Sequence, residues 1–235
     1  MKTVIPVALL ALVFLNTPSE GTDVPGLQYT YGISRGVNLT KKAETFIERF
    51  RGSKLKRLTF TGADRLPGEP AVTSEALIYK DGCDKISNFH NSKCKELFNW
   101  DIDDGIVTPF NISVKVAVYV ASKGKSKTLL LNLDGAANIT WSPETEDQDD
   151  RIQRTAIVTQ ECAFSAETRF SGFIYYEVEP TNFRDDRPAS DTVNVVLLKN
   201  DKDGLEERGK YLVYNVTGKF RHQLVCTGEA IGRTL

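Results

Sequence analysis

Between Ile112 and Ala121 apolar and polar positions alternate: Val114, Val116, Val118 and Val120 fall on one side of an extended chain, and Ser113, Lys115, Ala117, Tyr119 and Ala121 on the other. Side chains of a strand point alternately to its two faces, so this segment is a strand with one face buried and one wet. Similar runs predict strands at Leu55–Phe60, Val72–Tyr79, Thr128–Leu133, Ala136–Trp141, Arg154–Gln160, Gly172–Val178, Thr192–Leu198 and Lys210–Val216. Turn-forming clusters separate them, among them Arg51-Gly52-Ser53, Pro67-Gly68-Glu69-Pro70, Lys80-Asp81-Gly82, Asp103-Asp104-Gly105 and Asn200 to Gly204. Many short strands joined by such turns predict an all-β fold: two stacked antiparallel sheets, a curved sandwich or open barrel, with few or short helices. Thr40 to Phe50 fits a helix through Ala43, Phe46, Ile47 and Phe50 and a strand through Phe46, Glu48 and Phe50; the β context favours strand.

The start of the chain breaks this pattern. Lys2 precedes an apolar run from Val4 to Leu15, and small residues follow at Ser19 and Gly21. This is the layout of a secretory signal peptide over residues 1–21, leaving residues 22–235 as a single secreted β domain. The run is shorter than the roughly 20 apolar residues a spanning helix needs, so a soluble extracellular protein with no membrane span is expected. Lys and Arg number 30 against 31 Asp and Glu, a balance that gives no reason to expect a nucleic-acid partner. The four cysteines, Cys83, Cys94, Cys162 and Cys226, predict two disulfides, and spacing leaves all three pairings open. Asn38, Asn111, Asn138 and Asn215 each open an Asn-X-Ser/Thr sequon and are candidate N-glycosylation sites on exposed faces.

Catalytic chemistry is sparse. A serine or cysteine nucleophile needs a base, and the only histidines are His90 and His222, neither accompanied by a nucleophile elbow. No phosphate loop, dinucleotide fingerprint or His-Glu-x-x-His motif occurs. Asp101, Asp103 and Asp104 read as a hairpin tip rather than a sugar-cleaving pair. Asn200 to Gly204 fails as a calcium loop, because Lys199 and Lys210 would occupy ligand positions, and reads as a polar turn. No catalytic residues, metal site or cofactor are therefore expected. Phe173 to Val178 is apolar on both faces, which suits a central strand or the wall of a cavity. Phe173, Tyr175 and Trp141 are the candidate pocket residues.

Two stretches are similar to the ependymin-related proteins. The first comprises Phe50 to Phe60, Ala76 to Gly82 and Lys93-Cys94-Lys95-Glu96-Leu97; the second is Trp141 followed by Thr155 to Ser165. The resemblance spans roughly residues 45–183, with Cys94 and Cys162 matching family cysteines, Cys83 extra and Ala163-Phe164 replacing Leu-Pro. It implies sheets curved around a deep apolar pocket, a secreted dimeric glycoprotein, binding of lipids or other hydrophobic molecules, and in some members sensitivity to calcium. The resulting expectation is a carrier of a hydrophobic small molecule or lipid. The alternative is an extracellular protein-interaction molecule (matrix, adhesive or host-directed effector) without a ligand pocket.

Overall fold

The computed structural model describes residues 24–62, 68–75, 77–83, 94–143, 154–180 and 188–227. The chain begins with β1 (Leu27–Tyr31), β2 (Gly36–Asn38), α1 (Leu39–Arg51), β3 (Leu55–Thr59), β4 (Thr73–Ser74) and β5 (Ile78–Asp81). It continues with β6 (Cys94–Val107), β7 (Ser113–Val120), β8 (Lys125–Asn132), β9 (Ala136–Trp141), β10 (Arg154–Ser171) and β11 (Phe173–Val178). The last strands are β12 (Ser190–Asn194), β13 (Glu206–Arg208) and β14 (Tyr211–Thr227). The fold is all-β and built of curled antiparallel sheets, as the alternation predicts.

The main sheet runs β1-β9-β6-β14-β10-β4, with β2, β5 and β13 pairing at its margins. Its spine is the β10–β14 ladder, continuous from Ala156 opposite Cys226 to Phe170 opposite Leu212. Strands β12-β11-β3 form a second sheet and the β7–β8 hairpin a third. All three turn their apolar faces into one core. Val114, Val116 and Leu129 come from the hairpin, Ile174 and Tyr176 from β11, and Trp100, Phe170 and Val216 from the main sheet. Trp100, Trp141, Tyr176, Phe98 and Phe170 are among the largest fully buried side chains, so the space between the layers here is occupied by aromatic rings.

The segment expected to be a strand at Thr40 to Phe50 is instead the helix α1. Asn38 caps it, its Oδ1 accepting the Lys41 N–H at 2.9 Å, and Gly52 ends it in the left-handed region at φ +66° with its N–H donated to the Glu48 carbonyl. The buried positions are Leu39, Ala43, Ile47 and Arg51, a stripe at four-residue spacing. The strand reading followed Phe46 and Phe50, which stack on each other near the surface, Phe50 being 61% exposed. Arg51 carries the stripe's charge inward. Its guanidinium donates to the Tyr176 hydroxyl at 3.0 Å and the Pro188 carbonyl at 2.6 Å, so it fastens the helix to the second sheet.

A second correction concerns Asp101, Asp103, Asp104 and Gly105, which lie within β6 and not at a hairpin tip. Cys94, Glu96, Phe98, Trp100 and Ile102 point into the protein, so the first two acids fall in the opposite register. Thr192–Leu198 is a strand only to Asn194; Val195–Leu198 is a short 3-10 turn capped by the Asn194 side chain. Asn200 to Gly204 forms a compact turn closed by a bridge between Asn200 and Leu205. The signal-peptide segment, His90 and the acidic run from Glu144 to Asp150 lie outside the described residues.

Cys83 is bonded to Cys162 with the Cα atoms 5.5 Å apart, joining the end of β5 to the middle of β10. Cys94 is also disulfide-bonded, and the residue opposite it across the β6–β14 ladder is Cys226. Replacing Cys83 and Cys162 together by serine is expected to lower unfolding free energy by about 2–4 kcal/mol, because the bridge closes a long loop in the unfolded chain. Urea titration of the variant against the parent checks this.

Candidate functional site

The wet face of the main sheet carries the chain's polar chemistry. In β14 the inward residues are Tyr214, Val216, Phe220 and His222, which leaves Asn215, Thr217, Lys219 and Arg221 on the outside. Beside them β10 presents Glu161 and Glu167, and β6 presents Asn99 and Asp101. Arg221 reaches Glu161 at 3.0 Å and Asp101 at 3.7 Å, and Lys219 reaches Glu161 at 3.6 Å. Further along, Glu167 receives Arg169 and Arg208, each at 2.7 Å. The bond from Arg221, aided by Lys219, holds the Glu161 carboxyl below its ordinary range, and the bond from Arg169, aided by Arg208, does the same for Glu167. Exposed pairs of this kind contribute little stability, so their effect is to fix a mixed-sign charge pattern on a broad surface.

Two hollows open on this face and meet at Thr217. The first, about 470 Å³, is lined by Gly36, Asp104, Lys202, Asp203, Gly204, Glu206, Tyr214, Asn215 and Thr217. The second, about 540 Å³, is lined by Lys80, Asp81, Gly82, Asp103, Ala163, Phe164, Ser165, Thr217 and Gly218. Gly218 is required at the seam, since a Cβ there would sit 2.1 Å from the Asp101 carbonyl oxygen. Tyr214 floors the first hollow. It is buried, and its hydroxyl donates to the Gly105 carbonyl at 3.0 Å.

Burial, and then the charges of Asp104 and Asp203, push the Tyr214 hydroxyl up to about 12. Its proton is thus held more tightly in the folded state. The associated stability is complete below pH 10 and is lost as pH rises from 10 through 12. The urea midpoint is expected to fall more steeply over that window in the parent than in Tyr214→Phe.

Sequence reasoning missed the most enclosed polar cluster, Glu96 with His222. The Glu96 carboxylate is 1% exposed as a residue and accepts the His222 ring Nε2 at 3.0 Å, the Ala121 N–H at 2.8 Å, and the Ser122 N–H at 3.2 Å and hydroxyl at 2.7 Å. Burial raises the Glu96 pKa, but the four bonds outweigh it and hold the group below the ordinary carboxyl range. His222 lies flat against Phe98, the ring centroids being 4.2 Å apart. The cluster caps the turn at Ala121–Lys123 that joins β7 to β8, and so pins the hairpin to β6 and β14.

The predicted pocket residues do not converge. Trp141 is 1% exposed, stacks on Phe98 at 5.2 Å and donates its Nε1 hydrogen to the Pro25 carbonyl at 3.1 Å, which makes it core. Phe173 and Tyr175 are half-buried on β11, and neither lines the two hollows. Among the sequon asparagines, Asn38 and Asn111 are exposed and Asn138 and Asn215 half-buried. The Ser113 hydroxyl donates to Asn111 Oδ1 at 2.7 Å. Asn138 Nδ2 donates to Asn99 Oδ1 at 2.7 Å and to Asp101 Oδ1. Among the described residues no group of three or more His, Cys, Asp or Glu could hold a metal ion, and no helix is long and apolar enough to cross a membrane.

The fold of curled antiparallel sheets is similar to that of a bacterial crystal protein. The chain resembles a non-toxic crystal protein from Bacillus thuringiensis with a TM-score of 0.51 and 9% identity, over 82% of this chain and 94% of that one. Looser likenesses, which carry no argument, are to the Cry23Aa1 and Cry37Aa1 binary protein complex (TM-score 0.45, 12% identity, 85% and 93% covered) and to Mpp75Aa1.1, a β-pore-forming protein from Brevibacillus laterosporus (0.28, 9%, 79% and 83%). No protein-family model and no curated protein matches the chain.

The likeness to the crystal protein, with no family model matching, overturns the ependymin resemblance. Its motifs were short apolar and lysine-containing runs of the kind any sheet protein carries, and its first one, Phe50 to Phe60, straddles the end of α1, a turn and β3. Cys162, matched to a family cysteine, is bonded to Cys83, the cysteine that had no counterpart. The calcium sensitivity and dimer that rested on this likeness lose their basis with it.

Proposed function

We propose that the chain is an extracellular, host-directed protein-interaction molecule that works through the outer face of its main sheet. The observation that carries this reading is the division of labour between the two faces. The inner face is occupied by Phe98, Trp100, Trp141, Phe170 and Phe220, whereas the outer face is a wide array of fixed charges with two polar-edged hollows. A protein partner with complementary charge finds a matching surface on that outer face. The likeness to a crystal protein bears on the fold alone and brings no role with it. That relative is itself described as non-toxic, so toxicity is not part of the proposal.

The test is binding to intact cells or extracellular matrix of candidate hosts, measured with labelled protein over a concentration series. Saturable binding that weakens in Arg221→Glu and Lys219→Glu, with unfolding midpoints unchanged, is expected. A stoichiometric lipid found by native mass spectrometry, together with no saturable binding, would return the carrier reading to first place.

A further inference from the structure

Asn215 and Thr217, the two defining residues of one sequon, stand two positions apart on β14 and therefore on the same side of the sheet. Both line the 470 Å³ hollow, a volume within the roughly 300–1,000 Å³ range of small-molecule sites. The carboxamide of Asn215 makes no hydrogen bond to any described residue. Around it the hollow supplies an ammonium from Lys202 and carboxylates from Asp104, Asp203 and Glu206, each with one oxygen already accepting, from Thr217, from Lys42 and Asn200, and from Arg208 respectively, so that a hydroxyl-rich ligand would be met by their other oxygens. Its aromatic floor, Tyr214, is 4% exposed and offers little ring surface to an apolar molecule.

We infer that the hollow seats the protein's own carbohydrate, an N-glycan on Asn215 whose first sugars lie against Asp104, Lys202, Asp203 and Glu206. The attachment takes a sugar chain from a lipid-linked diphosphate donor. The bond from sugar C1 to Nδ2 forms, the bond from C1 to the diphosphate oxygen breaks, and one Nδ2 proton is released. The same chemistry separates Asn138 from Asn215. Asn138 Nδ2 donates to both Asn99 and Asp101, so a glycan there, which leaves Nδ2 a single hydrogen, costs the folded protein one of these side-chain bonds, whereas a glycan on Asn215 costs none. The inference rests on the extracellular reading above, because the donor belongs to the export route.

The experiment secretes the full chain from glycosylating cells behind a heterologous leader, which makes the outcome independent of residues 1–21. Peptide mass spectrometry is expected to find sugar on Asn215. Endoglycosidase is expected to release the Asn215 glycan several-fold more slowly from folded than from denatured protein. The shielding should weaken in Lys202→Ala with Glu206→Ala, a pair whose side chains lie outside the core. An unmodified Asn215, or equal release rates from folded and denatured protein, overturns the proposal. Retention inside the cell of a chain carrying only its own first 21 residues would count against the extracellular reading and leave these results standing.

Discussion

Replacing Glu96 by alanine is expected to cost about 3–5 kcal/mol of unfolding free energy, the range seen when one partner of a buried charged network is removed. The change strands the Ala121 and Ser122 amides and the His222 ring together, and each loses its acceptor in a site with little access to water. His222→Phe should cost much less, since the carboxylate keeps its bonds to Ala121 and Ser122 and the new ring can still lie on Phe98. Glu96→Gln adds a pH signature. The folded-state pKa of Glu96 lies below its ordinary value of 4.5, so its stabilisation is present above that value and is lost as pH falls through the folded pKa. The acid limb of the stability curve should therefore be shallower in Glu96→Gln. Chemical denaturation of the three variants from neutral pH to pH 3 checks all of this.

Gly36→Ala is the second large effect, on the order of 4 kcal/mol, because it combines two named sources of severe destabilisation. Gly36 has φ +130°, a conformation that side chains with a Cβ rarely adopt. An added Cβ would also lie 1.8 Å from the Gly105 carbonyl oxygen, inside the parallel β2–β6 pairing. Either the pairing opens or the backbone of β2 turns away, and β2 leads directly into α1 through the Asn38 cap. Loss of helical circular dichroism at a lower denaturant concentration than loss of sheet signal would report that route; a fully coincident transition at the parent midpoint would refute the assignment.

The fold was readable where one face of a strand is purely apolar. The valines of β7 and the alternation of Ala136–Trp141 suffice, since a register of two has no competing explanation there. Reading failed where polarity on the wet face imitated a turn. Asp101 to Gly105 looks like a loop because Phe98, Trp100 and Ile102 lend the segment only every second residue, and the intervening acids dominate the eye. At α1 the failure was of the opposite kind: Phe46 and Phe50, large and apolar, drew the pattern toward the surface, while Ala43 and Arg51 held the buried stripe.

The candidate site was less legible than the fold. Sequons are local and visible, but the difference between Asn138 and Asn215 depends on which residues the neighbouring strands bring alongside. Glu96 and His222 are 126 positions apart and meet only because β6 and β14 pair with Phe98 opposite His222. The pairing of Cys83 with Cys162 and the meeting of Asp104, Glu206 and Asn215 around one hollow depend on register in the same way.

The position of β14 also governs when the structure can come into being. It is the last strand of the described chain, yet it lies between β6 and β10 and joins the two. During synthesis those earlier strands wait with unsatisfied edges, and Trp100 cannot meet Phe220 until some hundred further residues have emerged. Such distant pairings place folding in the roughly millisecond-to-second regime and leave the growing polypeptide exposed to self-association.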